Sequence, residues 1–199
     1  MAFTELTVFA GMLLIFTVLA RSQSKSVSLA DPTIIGLLLA GAVALETRNG
    51  AVVNLFGVTL VVACTIVAAA SDRATGLIFD VATGTGAVAI LAWAIPTHQF
   101  AATALGAGIC GLAMFALHVG TRGSGIGLGD VKLSAVIGGG IGGATAIAAV
   151  GAGFVFGAIW TCAMLALRRV RRGERVAFAP FLAAGSIAFI GFSGVQFGG

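Results

Sequence analysis

From Leu133 to Leu167 the chain runs for 35 residues without one charged side chain. As a single helix that run would be about 52 Å long at 1.5 Å per residue, against roughly 30 Å for the hydrocarbon core of a bilayer. Two short helices joined by a turn are expected, and the turn is predicted near Gly151-Ala152-Gly153. The same character extends along the chain. Apolar residues make up 59% and charged residues 9%, where a soluble domain carries about 25% charged. Thirty glycines fit helices that pack closely in lipid.

Eight apolar segments are legible, at about 4–20, 28–46, 51–71, 77–95, 99–118, 133–149, 152–167 and 177–196. In lipid each must be a helix or a strand of a closed barrel, because unpaired backbone groups are costly there. Barrel strands alternate with period two. Runs such as Val52 to Ala70 do not. The expected fold is therefore an all-α polytopic bundle of about eight transmembrane helices, with six to eight as the range. It forms one membrane-embedded domain over 1–199.

Charge orients this bundle. With eight spans, one side receives Arg21, Lys25, Arg73, Arg122, Lys132, Arg168, Arg169, Arg171, Arg172 and Arg175, and the other only Arg48. Basic residues mark the cytoplasmic side, so both termini are expected outside. Glu5 precedes the first apolar run and Arg21 and Lys25 follow it. That reverses the order of a cleavable signal peptide. The net charge of +4 sits at segment edges, where membrane lipid accounts for it. No nucleic-acid partner is expected. Cys64, Cys110 and Cys162 stand singly and are expected to pack, with no structural metal site.

Of seven acidic residues, Glu5, Asp31, Glu46 and Glu174 suit solvated flanks. Asp72, Asp80 and Asp130 remain. Asp130 follows Gly127 and Gly129, whose bare backbone admits a peptide closely; it could equally cap the sixth helix. Asp72 ends the third span beside Arg73, which suits either chemistry or an interfacial charge pair. Asp80 would share a face with Asp72 if one helix ran through both. The topology brings Asp72 and Asp130 to one membrane surface, although they are 58 positions apart. Two close carboxylates cannot both ionise easily, so the pair can act as base and acid together. His98 falls on the outer side, and His118 has no companions for a triad.

The run Gly127-Leu128-Gly129-Asp130-Val131-Lys132-Leu133 resembles the GxGDxKL signature of type IV prepilin peptidases, the GxGD membrane aspartic proteases. Ser134, Ala135, Gly138 and Gly142 continue the likeness. Asp72, Thr75 and Ile78 match that family's D-x-x-T-x-x-I-P-N run, with Phe79 in place of its proline and Asp80 in place of its asparagine. Val176 to Gly185 is similar to its F-G-P-F-L-A-x-G stretch. The likeness covers about 51–195. It implies the short, peptidase-only kind, without the methyltransferase domain.

What the resemblance implies is an aspartic endopeptidase of the inner (cytoplasmic) membrane, serving pilus biogenesis or secretion. Asp72 and Asp130 would be catalytic, and Gly127, Gly129 and Lys132 would support them. Only the resemblance selects Asp72 over Asp80, the third candidate acid. The substrate would be a prepilin-like protein, with a basic leader cut from an apolar helix at the cytoplasmic face. No cofactor or metal is expected. Other readings are a presenilin-like protease, a proton-coupled small transporter or channel, and an inactive structural relative in a pilus machine. The chain has no tyrosine to supply the Tyr-Asp of the presenilin kind.

Overall fold

The computed structural model describes residues 2–47, 55–143, 146–169 and 176–193. They form eight helices and no strand: α1 (Ala2–Gln23), α2 (Pro32–Thr47), α3 (Leu55–Thr75), α4 (Asp80–Ala94), α5 (Phe100–Gly120), α6 (Leu128–Ile141), α7 (Ala146–Ala166) and α8 (Ala179–Ser193). The all-α expectation holds. Three helices are long and apolar enough to cross a membrane, over Phe56–Thr75, Phe100–Gly120 and Ala146–Ala166. Shorter apolar helices occupy Thr7–Gln23, Pro32–Leu45, Asp80–Ala94 and Ala179–Gly191. Arg48, Arg171, Arg172, Glu174 and Arg175 lie outside the described residues.

The bundle is built around α3. Its apolar window is 83% buried, against 22% for α5 and for α7, and it touches α1, α2, α4, α6 and α8. Val58, Leu60, Val61, Val62 and Ile66 are essentially inaccessible. Small residues let the other helices close on this axis. A Cβ on Gly138 would overlap the Gly106 carbonyl, so α5 and α6 touch backbone to backbone, and Gly185 meets the Gly153 backbone between α7 and α8 in the same way. Leu14, Leu39, Val88, Leu112 and Ile159 point outward and are each more than half exposed.

One local expectation is corrected. The turn inside the uncharged run falls at Gly142-Gly143, and α7 runs straight through Gly151-Ala152-Gly153. Gly142 and Gly143 take φ of +80° and +61°, a region that glycine enters at little cost. The Gly143 N–H donates to the Ala102 carbonyl at 2.9 Å. Gly153 is needed inside the helix instead, where a side chain would press on Leu182.

The break expected between the third and fourth segments is present, so Asp72 and Asp80 do not share a helix. Gly76, at φ +70°, ends α3. Phe79 caps α4 with extended backbone at φ −73°, ψ 131°. That φ lies within the range fixed by proline, so the backbone at Phe79 is one that a proline could also adopt. Cys64 and Cys110 are buried as expected, but Cys162 is exposed on α7.

Candidate active site

Long-range contacts gather five helix ends at one end of the bundle. Arg73 near the end of α3 reaches Asp31 before α2 at 3.1 Å. Lys132 in α6 reaches Asp80, the first residue of α4, at 2.7 Å. Asp72 in α3 meets the first residue of α8, where the Ala179 N–H donates to its Oδ2 at 3.0 Å. The Phe178 N–H is also turned to that carboxylate. Arg73 thus serves Asp31, whose carboxyl it holds below the ordinary value, and does not neutralise its neighbour Asp72.

Asp130 enters from α6. Gly127 is the N-cap of that helix, in extended conformation at φ −78°, ψ 156°, and its N–H donates to Asp130 Oδ2 at 3.1 Å. The capping role open to Asp130 from sequence is therefore real. It occupies one carboxylate oxygen and leaves the group close enough to Asp72 for that charge to oppose its ionisation. Gly129 has a steric reason: a Cβ there would stand 2.9 Å from the Ile78 Cβ, so the segment between α3 and α4 lies directly over the first turn of α6.

The start of α6 lies short of the end of α5. From the Gly106–Gly138 contact, α5 continues 14 residues to Gly120, whereas α6 runs back ten to Leu128. At 1.5 Å per residue these are about 21 Å and about 15 Å. The 121–127 loop folds down to bridge the difference. His118 pins it, with Nδ1 at 2.7 Å from the Ile126 carbonyl oxygen.

Asp72 and Asp130 are thus brought together, and the third candidate is not part of the pair. Asp80 is 74% exposed and paired with Lys132, a solvated ion pair of the kind worth only about 0–1 kcal/mol. Sequence reasoning missed the Ala179 N–H and the His118 pin. A backbone donor has no side chain to announce it, and His118 binds a carbonyl eight residues away. Among the described residues, no three His, Cys, Asp or Glu side chains are grouped to hold a metal ion.

Burial, first, and the Asp72 charge push the Asp130 carboxyl up to about 6, with the Gly127 N–H opposing them. The folded value exceeds that of a free carboxyl, so folding favours the protonated form. This stabilisation is complete below about pH 4 and is lost as pH rises through about 6. Asp130→Asn, neutral at every pH, should therefore melt higher than the wild type at pH 7.5, and the gain should vanish near pH 4.5. Thermal unfolding in detergent at the two pH values checks this. A variant less stable at pH 7.5 than at pH 4.5, relative to the wild type, contradicts it.

No family model, curated protein or solved structure matches the chain. The chemistry of the site therefore rests on its own residues.

Proposed function

We propose that this chain is a membrane-embedded aspartic endopeptidase that removes the basic leader of prepilin-like proteins at the cytoplasmic face. The observation that carries this reading is the placing of Asp72 and Asp130, from α3 and α6, at one end of the bundle and within reach of each other's charge. One carboxylate of such a pair ionises and the other keeps its proton. The ionised member draws a proton from water, and the resulting nucleophile attacks the scissile carbonyl. The protonated member donates a hydrogen bond to the carbonyl oxygen as negative charge develops there, and the proton taken from water passes to the leaving amine as the C–N bond breaks. The likeness of 127–133 to the GxGDxKL signature supports the same reading.

The membrane part of the proposal adds the four shorter apolar helices and α6 to the three long ones, giving eight membrane-embedded segments. The apolar side chains on the outer faces suit lipid tails. Among the described residues, the fully buried polar side chains are threonine and serine only, and Asp72 and Asp130 are half-buried at one end. A proton relay through the bundle would call for ionisable groups there, so the transporter reading has less support.

The test is cleavage of a co-expressed prepilin-like substrate. Activity should survive metal chelators and reagents for serine or cysteine nucleophiles. Loss on chelation, restored by added metal, would remove the two-carboxylate mechanism. Cysteine labelling should place 21–27, 120–130 and 168–175 on the cytoplasmic side and both termini outside. Labelling of 120–130 and 168–175 from opposite sides would end the eight-segment arrangement.

A further inference from the structure

We infer that the first turn of α8 is a positioning element for Asp72, acting through the backbone N–H of Ala179. The inference rests on the two-aspartate peptidase reading and assigns that site a further working part.

The start of a helix leaves backbone N–H groups without partners inside the helix. In α8 the Phe181 and Leu182 N–H groups are taken by the Phe178 carbonyl, at 3.0 and 3.3 Å. Pro180 has no N–H to offer. The Ala179 N–H is left over, and it is spent on a carboxylate 107 positions earlier, at 3.0 Å. The donor is rigidly placed. Ala179 is fully buried. Phe178 packs on Phe154 with ring centroids 5.0 Å apart, and Phe181 packs on Trp160 at 5.5 Å. Gly157 leaves room for the Phe178 and Phe181 rings against α7.

The surroundings leave this donor little competition for Asp72. From α6, Asp130 faces it. Arg73 is turned to Asp31 before α2, and Lys132 to Asp80 on α4. Arg21 and Lys25, at the end of α1 and just beyond it, are exposed. The first turn of α8, from Ala179 to Leu182, carries no charge. The orientation of the Asp72 carboxylate towards Asp130 is therefore set by backbone dipoles, and a donor supplied by α8 ties the last helix to the chemistry.

Proline at residue 179 tests this directly. It removes the N–H at the first helical position, where proline is best tolerated. Ala179→Pro should lower kcat on a prepilin-like substrate by about 10- to 100-fold, the scale of a hydrogen bond to a charged group, with KM little changed. Because the lost bond favours the ionised carboxylate, the acid limb of the kcat profile should move to higher pH. A purely structural lesion would lower the amplitude without moving the limb. The conservative Ala179→Gly, which keeps the N–H, should recover most of the loss. An amide-to-ester replacement at 179 removes the N–H without a ring and serves if the proline variant does not fold.

Stability supplies a readout independent of turnover. In a double-mutant cycle, the losses from Ala179→Pro and Asp72→Ala should be non-additive. Strict additivity, or an unchanged kcat and acid limb in both the proline and the ester forms, overturns the inference while the peptidase reading stands. A wild type that cleaves no prepilin-like substrate overturns the peptidase reading, and this inference with it.

Discussion

Either Asp72→Asn or Asp130→Asn alone should reduce cleavage of a prepilin-like substrate to background while the protein still folds and inserts. Asparagine keeps the shape of the side chain and its ability to accept the hydrogen bonds from Ala179 and Gly127. It removes the charge and the titrating proton, which are what the two-carboxylate mechanism uses. The double variant should be scarcely worse than either single one, because groups that act as a unit are grossly non-additive. Asp80→Asn should leave substantial activity, since it breaks only an exposed pair with Lys132 and leaves Asp72 and Asp130 in place. Full activity in Asp130→Asn at normal expression would defeat the peptidase reading. A dead Asp80→Asn beside an active Asp72→Asn would leave a protease but move its first acid.

The second large effect is on folding. Gly138→Leu should prevent assembly of the bundle or lower its melting temperature drastically. Ordinary overpacking of a core costs about 1–3 kcal/mol, because side chains can shift. Here the obstacle is backbone: a Cβ on Gly138 overlaps the Gly106 carbonyl and lies 2.9 Å from the Cys110 Cβ. Relief requires α5 and α6 to separate along their whole contact, which also releases Asp130 from its place beside Asp72. Gly185→Leu should act alike through Gly153 in α7 and displace the start of α8. Gly108, in α5, has open space where its Cβ would stand, and Gly108→Ala should be neutral or stabilise by about 0.5–1 kcal/mol. Thermal unfolding of the three variants in one detergent checks the contrast. A Gly138→Leu protein that melts within a few degrees of the wild type would show that the helices do not touch as described.

The pH effect on Asp130 and the cleavage effect are linked. The same burial and like charge that push its carboxyl up to about 6 also reduce stability at neutral pH. Loss of activity with a gain in stability is the pattern expected when a group is kept for chemistry and not for folding. A variant that lost both together would point to the helix-capping role of Asp130 instead.

The number and order of the helices, and the gathering of Asp72 and Asp130 at one end, were legible in the amino-acid sequence. Apolar run lengths bound the helices, and the distribution of Arg and Lys predicts which breaks share a side; both are properties of solvent transfer and need no neighbours. The position of the turn inside the uncharged run was not legible. Gly142-Gly143 and Gly151-Ala152-Gly153 are alike as sequence, and only packing separates them. One must adopt positive φ beside Ala102, and the other must stay helical so that α8 can approach Gly153. The choice between Asp72 and Asp80 was likewise tertiary. Arg73 and Lys132 each had more than one acid in reach along the chain, and the fold gave Asp31 to the first and Asp80 to the second. Asp72 received a backbone N–H from the far end of the chain. Such a donor is identical at almost every residue, so its partner is decided by where helices end in space and not by which side chains they carry.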